Sequence, residues 1–208
     1  MRGKSLLWHL LHRLEQSEFI DNIVVGTPDE EIRDEVESDG FECVVSDRAE
    51  DDVLGRYVDI ADDYGADVVV RVTGDCPLID AEVVDQTINI LGDYDFACNI
   101  LPRTFPKGLD TEVMPVRTLH RLDEILKEGH PEREHVCVHV YDDDEFSIAS
   151  YVDEKDNSHL TWCVDYECDF ERVAYILERW GDLPYREILR RLHVRQADGV
   201  SGWSGNAT

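Results

Sequence analysis

Lysine is scarce in this chain. Only Lys4, Lys107, Lys127 and Lys155 occur, and Lys plus Arg number 20 against 47 Asp plus Glu, a formal charge of -27. That balance excludes a general nucleic-acid-binding surface, because counterion release needs Lys and Arg facing phosphate. No C-x-x-C pair occurs among Cys43, Cys76, Cys98, Cys137, Cys163 and Cys168. A chain of 208 residues buries enough core to do without a disulfide framework, so reduced thiols in a cytoplasm are expected. No run approaches the ~20 apolar residues of a transmembrane helix, and no membrane partner is expected. The opening MRGKSLLWHLLHRLEQ is interrupted by His9, His12 and Arg13 and reads as an amphipathic helix rather than a targeting segment.

What is present is 42% hydrophobic residues in regular blocks, which predicts a packed fold with its charge on the outside. The expectation is a single domain over 1–195 and a Gly/Ser-rich disordered tail over 196–208. So acidic a surface fits a salt-adapted, halophilic cytoplasmic protein: at about 1 M salt the Debye length is ~3 Å and like charges scarcely repel.

Leu7, Leu10, Leu11 and Leu14 recur at helical spacing after Ser5, a candidate cap. Strands are expected over 22–27, 41–46, 67–73 and 95–100, with helices from Pro28 to Gly40, over 51–64 and over 80–91. Such alternation predicts an α/β fold with a largely parallel sheet. Between 101 and 152 the rhythm breaks into a proline-rich loop, a strand over 111–114, helices over 118–127 and 131–141, and a strand over 146–152. A strand over 160–164 and helices over 169–180 and from Pro184 to about His193 close the pattern.

In open parallel sheets, ligands bind beyond the carboxyl ends of the strands. Asp75 stands there, in the turn Gly74-Asp75-Cys76-Pro77 after DVVVRVT, and the plain alternative is a turn former. Asp165 stands directly after LTWCV. Two carboxylates at two strand ends could hold one Mg²⁺, with substrate phosphates as its other ligands. For Asp165 and Asp169 the alternative is the preference of acidic residues for a helix start. His135 and His139 have H-x-x-x-H spacing but lack the glutamate and third ligand of a zinc-protease motif, and Gly3-Lys4-Ser5 lacks the glycine-rich stretch of a P-loop.

Five blocks, VVVRVTGDCPLID, DVLGRY, NILPRTFPKGLDTEV, PEREHV and LTWCVDYECDFERV, together resemble the cytidylyltransferase family, nearest the spore-coat polysaccharide biosynthesis protein F group and related to the acylneuraminate and KDO cytidylyltransferases. The resemblance implies a three-layer, GT-A-like fold of the nucleotide-diphospho-sugar transferase type. It also implies transfer of CMP from CTP to an acidic sugar, for a surface polysaccharide or glycan, with release of pyrophosphate. By the same resemblance Asp75 and Asp165 bind Mg²⁺, Arg71 joins them in catalysis, and Arg103, Lys107, Asp110, Glu112 and His135 lie toward nucleotide or sugar. A homodimer is implied as well. The chemistry would be in-line attack of a sugar hydroxyl on the α-phosphate, driven by positioning and cationic charge.

Members of that family begin with a strand and an arginine-rich loop around the triphosphate. The chain as written matches from a later G-K-x-L-L-x-H helix, here Gly3 to His9. The expectations are therefore an N-terminally truncated reading, a sheet without its usual first strand between the strands at 23–26 and 68–72, and weak CTP binding. A non-catalytic remnant of the fold is the alternative. A metal-dependent glycosyltransferase is a third, disfavoured because the strand end offers one aspartate where a D-x-D would be expected.

Overall fold

The structure, a computed structural model, describes residues 3–197. Ser5 starts the first helix, its hydroxyl accepting from Trp8 N–H (3.1 Å), and α1 (Leu6–Leu14) buries Leu10, Leu11 and Leu14 along one stripe. Then β1 (Val24–Thr27), α2 (Glu30–Ser38), β2 (Glu42–Val45), α3 (Val53–Tyr64), β3 (Val68–Arg71) and α4 (Ala81–Asn89) alternate as the apolar pattern predicts. Gly65, at φ 60°, ends α3 in the left-handed conformation that glycine adopts without a Cβ clash. The rest comprises β4 (Phe96–Cys98), β5 (Glu112–Pro115), α5 (Val116–Ile125), a 3-10 turn (Pro131–Arg133), α6 (Val138–Asp142), β6 (Ile148–Ser150), α7 (Glu167–Trp180) and α8 (Tyr185–Ala197).

The strands form a parallel pair, β1-β2, and a four-stranded sheet ordered β3-β5-β4-β6. Three strands of the larger sheet run the same way and β5 opposes both its neighbours. Alternation of side chains gives the sheet two apolar faces. Val69, Phe96, Cys98 and Met114 pack with Leu54, Leu119, Leu122 and Val140 of α3, α5 and α6. Val70, Ala97 and Val113 pack against Ile88 of α4. Helices thus cover both faces, the expected three layers. A further cluster joins Leu78, Phe105, Leu109 and Trp162 to α7 and α8.

Among the described residues β1 and β3 do not pair. Side chains of both sheets, Val25 and Cys43 from one and Val70 from the other, pack into one apolar cluster around Leu10, Ile79 and Val84.

Three expectations need correction. Residues 160–164 are not a sheet strand: a single bridge joins Thr161 to Lys107, because a loop rather than a neighbouring strand lies alongside. The helix expected over 131–141 is broken in two, with Val136 between the pieces at φ 55°. The last helix runs to Ala197, past the expected start of the tail at 196, and the rest of that tail lies outside the described residues.

Candidate active site

β3 ends at Arg71, and the turn beyond it carries Asp75. Val164 N–H donates to the Asp75 carbonyl (2.9 Å), which ties the second carboxylate-bearing segment to the first. Trp162 N–H donates to the Lys107 carbonyl (2.6 Å), and Lys107 N–H to the Leu160 carbonyl (3.0 Å). Gly108 permits this approach. A Cβ on it would lie 2.4 Å from Cys163 N and 2.5 Å from the Trp162 carbonyl carbon, and its φ of +105° is itself disfavoured for other residues.

The result is that Asp75, Cys163 and Asp165 bring ligand atoms within 4.8 Å of one another. Among the described residues no other group of three or more such side chains converges in this way. Two carboxylates and a thiol at that spacing fit one divalent cation. Lys107 Nζ already places a positive charge there, 2.7 Å from Asp165 Oδ2, and its ammonium holds Asp165 below the usual carboxylate range. Thr73 Oγ1 donates to Asp75 Oδ1, fixing that carboxylate from the other side. Burial, aided by Asp165 and Asp75 and opposed by Lys107, pushes the Cys163 thiol up to about 12.

Asp169 does something else. Its Oδ2 accepts from Tyr166 N–H (3.0 Å) and Asp165 N–H (3.3 Å), and Oδ1 accepts from Arg172 (2.8 Å), so it is the helix-start carboxylate while Asp165 faces outward to Lys107. Of the two aspartates, the helix-start reading thus holds for Asp169.

A cavity of about 400 Å³ follows the end of β3 and is lined in part by Arg71, Thr73, Asp110, Glu112, His135 and Tyr141. Its charges come in pairs. Arg71 and Glu112 are register partners on β3 and β5, and the guanidinium donates to Glu112 Oε2 while Tyr141 donates to Oε1 (2.5 Å). Arg103 grips Asp110 through two bonds, 2.5 and 2.7 Å. Buried Asn99 holds the intervening loop, donating to the Leu109 carbonyl (2.6 Å) and accepting from Thr111 N–H (2.9 Å). His135 is exposed on the cavity wall, and His139 instead pairs with Glu132 (3.2 Å) and Asp143 (3.6 Å). Val136 and its broken helix separate the two histidines, so the H-x-x-x-H spacing gives no shared helical face.

All eight residues expected at the site therefore fall into two adjoining groups, Asp75, Lys107 and Asp165 in one and Arg71, Arg103, Asp110, Glu112 and His135 in the other. Tyr141 and Cys163 join them without a sequence signal that set them apart.

A cytidylyltransferase family model matches residues 1–171. The chain belongs to the cytidylyltransferase family. A spore coat polysaccharide biosynthesis protein of Bacillus subtilis is 26% identical over 88% of this chain and 79% of its own length. A protein of Methanocaldococcus jannaschii is 30% identical over 72% of this chain and 62% of its own length. A 3-deoxy-manno-octulosonate cytidylyltransferase of Pelobacter propionicus is 32% identical over 44% of this chain, the match spanning 36% of that enzyme. Among solved structures, a cytidylyltransferase from Leptospira borgpetersenii superposes with a TM-score of 0.88 at 26% identity, covering 98% of this chain and 89% of its own. A CMP:2-keto-3-deoxy-manno-octonic acid synthetase complexed with CTP shares the fold, with a TM-score of 0.65 at 15% identity, covering 85% of this chain and 89% of its own.

Two of the blocks that resemble the cytidylyltransferases serve the fold. Asp52, from DVLGRY, caps α3 by accepting from Gly55 N–H (3.1 Å) and binds buried Arg133, from PEREHV, at 2.6 Å. Arg56 donates to the Ala49 and Glu50 carbonyls (2.8 and 2.9 Å). Among the described residues no helix is long and apolar enough to cross a membrane.

Proposed function

We propose that this chain carries a nucleotidyltransferase site that moves CMP from CTP to an acidic sugar, in surface polysaccharide or glycan synthesis. The observation that carries the reading is the convergence of Asp75 and Asp165, distant in sequence, beside a cavity of sugar size whose polar groups are held in fixed pairs. Asp75 and Asp165 would hold a divalent cation, Mg²⁺ in the simplest case, which supplies charge stabilisation to the phosphates. Lys107, released from Asp165, would be free to turn toward phosphate oxygens. Glu112 and Asp110, oriented by Arg71, Tyr141 and Arg103, keep lone pairs for hydroxyl groups of the acceptor and so fix the sugar for in-line attack. The curated relatives' names, spore coat polysaccharide biosynthesis and 3-deoxy-manno-octulosonate cytidylyltransferase, support the substrate class.

One observation favours the second reading, a non-catalytic binding module of this fold. The cations at the site are already matched: Lys107 by Asp165, Arg71 by Glu112 and Arg103 by Asp110. A triphosphate therefore meets little uncompensated positive charge until a cation binds. Calorimetric titration with CTP in high salt separates the two readings. Binding that appears only with a divalent cation, and is lost in Asp75→Asn, supports the transferase; no binding under either condition supports the module.

A further inference from the structure

We infer that Cys163 is a third protein ligand of the cation at Asp75 and Asp165, and that its sulfur gives the site a preference for thiophilic divalent ions of the Co²⁺ and Zn²⁺ class over Mg²⁺. The inference rests on the reading that these two carboxylates hold a cation. Cys163 Sγ lies 3.5 Å from Asp165 Oδ2 and within 4.8 Å of the Asp75 ligand atom, so one ion can touch all three. Its backbone is pinned: Cys163 N–H donates to the Lys107 carbonyl (3.2 Å), and the missing Cβ of Gly108 leaves room for it.

A hard ion such as Mg²⁺ is satisfied by the carboxylates, phosphates and water and leaves the sulfur aside. A softer ion gains a sulfur bond at the same position, and affinity for it rises in the order that N, O and S sites generally follow. On binding, the S–H bond breaks, the metal–sulfur bond forms, and the proton leaves to solvent. Cys76 Sγ is the nearest competing sulfur, 3.4 Å from Asp75 Oδ1, though it does not reach both carboxylates as Cys163 does.

The test is titration of the reduced full chain with Co²⁺, read in the near ultraviolet for thiolate-to-metal charge transfer and by calorimetry. The expected result is a saturable charge-transfer band that disappears in Cys163→Ser and Cys163→Ala and persists in Cys76→Ser. The Cys163 variants should bind Co²⁺ about tenfold more weakly, ~1.4 kcal/mol, with Mg²⁺ affinity unchanged. Should one Cys163 variant fail to fold, the other, together with the fate of the band in Cys76→Ser, still decides the matter. Co²⁺ bound without the band, or with a band that follows Cys76, overturns the inference and leaves the reading standing. Failure of every divalent ion to bind, or binding indifferent to Asp75→Asn, overturns the underlying reading.

Discussion

Val164 N–H donates to the Asp75 carbonyl at 2.9 Å, so the two segments that bear the site's aspartates are joined by backbone rather than by any ligand. The carboxylates are therefore placed before substrate arrives, which is what catalysis by positioning requires. The same junction depends on Gly108, whose Cα hydrogen faces the Trp162–Cys163 peptide.

Gly108→Ala should part the two segments. The new methyl meets backbone and the positive φ adds strain, so stability should fall by about 1–3 kcal/mol. Divalent cation binding should weaken beyond what the lost stability explains, because Lys107 and Cys163 shift together. Thermal melts and metal calorimetry on one sample would show both, and unchanged cation affinity would contradict the described geometry.

Asp52 makes stability sensitive to acid. Burial raises its carboxyl, but bonds from Arg133 and Arg48 outweigh burial and hold it below the usual range. A depressed folded value means the contribution is full above the unfolded value of ~4 and is lost as pH falls through the folded value. Asp52→Asn keeps a capping residue but forfeits the ion pair, so it should be less stable at neutral pH and show a flatter loss below about pH 4. Parallel acid denaturation curves for the two proteins would contradict this.

Tyr141 orients Glu112. Removing its hydroxyl in Tyr141→Phe leaves Glu112 with Arg71 but frees one oxygen, and a hydrogen bond to a charged group is worth roughly 1.5–3 kcal/mol. If Glu112 positions the acceptor, KM for the sugar should rise about tenfold or more while KM for CTP stays put. An equal rise in both would point to general loosening instead.

The sequence was most informative where local pattern decides structure. Ser5, Asp80 and Gly65 cap helices as their residue types predict, and the strand before Gly74 lies within the apolar run, ending at Arg71. Asp75 and Asp165 were legible because one stands in the turn that closes an apolar run and the other directly follows one. The pairings were not. β5 opposes β3 because of how the chain returns through residues 99–111, and no periodicity records that direction, so the Arg71–Glu112 partnership came only from the register. LTWCV has the composition of a sheet strand, yet it lies against the Lys107 loop, with Trp162 buried beneath α7 and α8. Cys163 was not set apart from the other reduced thiols, because burial and proximity to carboxylates are both tertiary facts.

The net charge of -27 predicts dependence on salt. α2 alone exposes Glu30, Glu31, Asp34, Glu35 and Glu37. Raising KCl from about 0.1 M to about 2 M should raise Tm by screening this repulsion. A Tm that does not move would remove the case for salt adaptation.

The central claim is cytidylyl transfer at the Asp75–Asp165 site. Its most direct measurement is phosphorus NMR of the full chain incubated with CTP, a divalent cation and 3-deoxy-manno-octulosonate in high salt. The account predicts pyrophosphate and a CMP-sugar appearing together in equal amounts, dependent on the cation and abolished in Asp75→Asn. CTP left intact by the wild-type chain across a panel of acidic sugars, or turnover that survives Asp75→Asn, would contradict it.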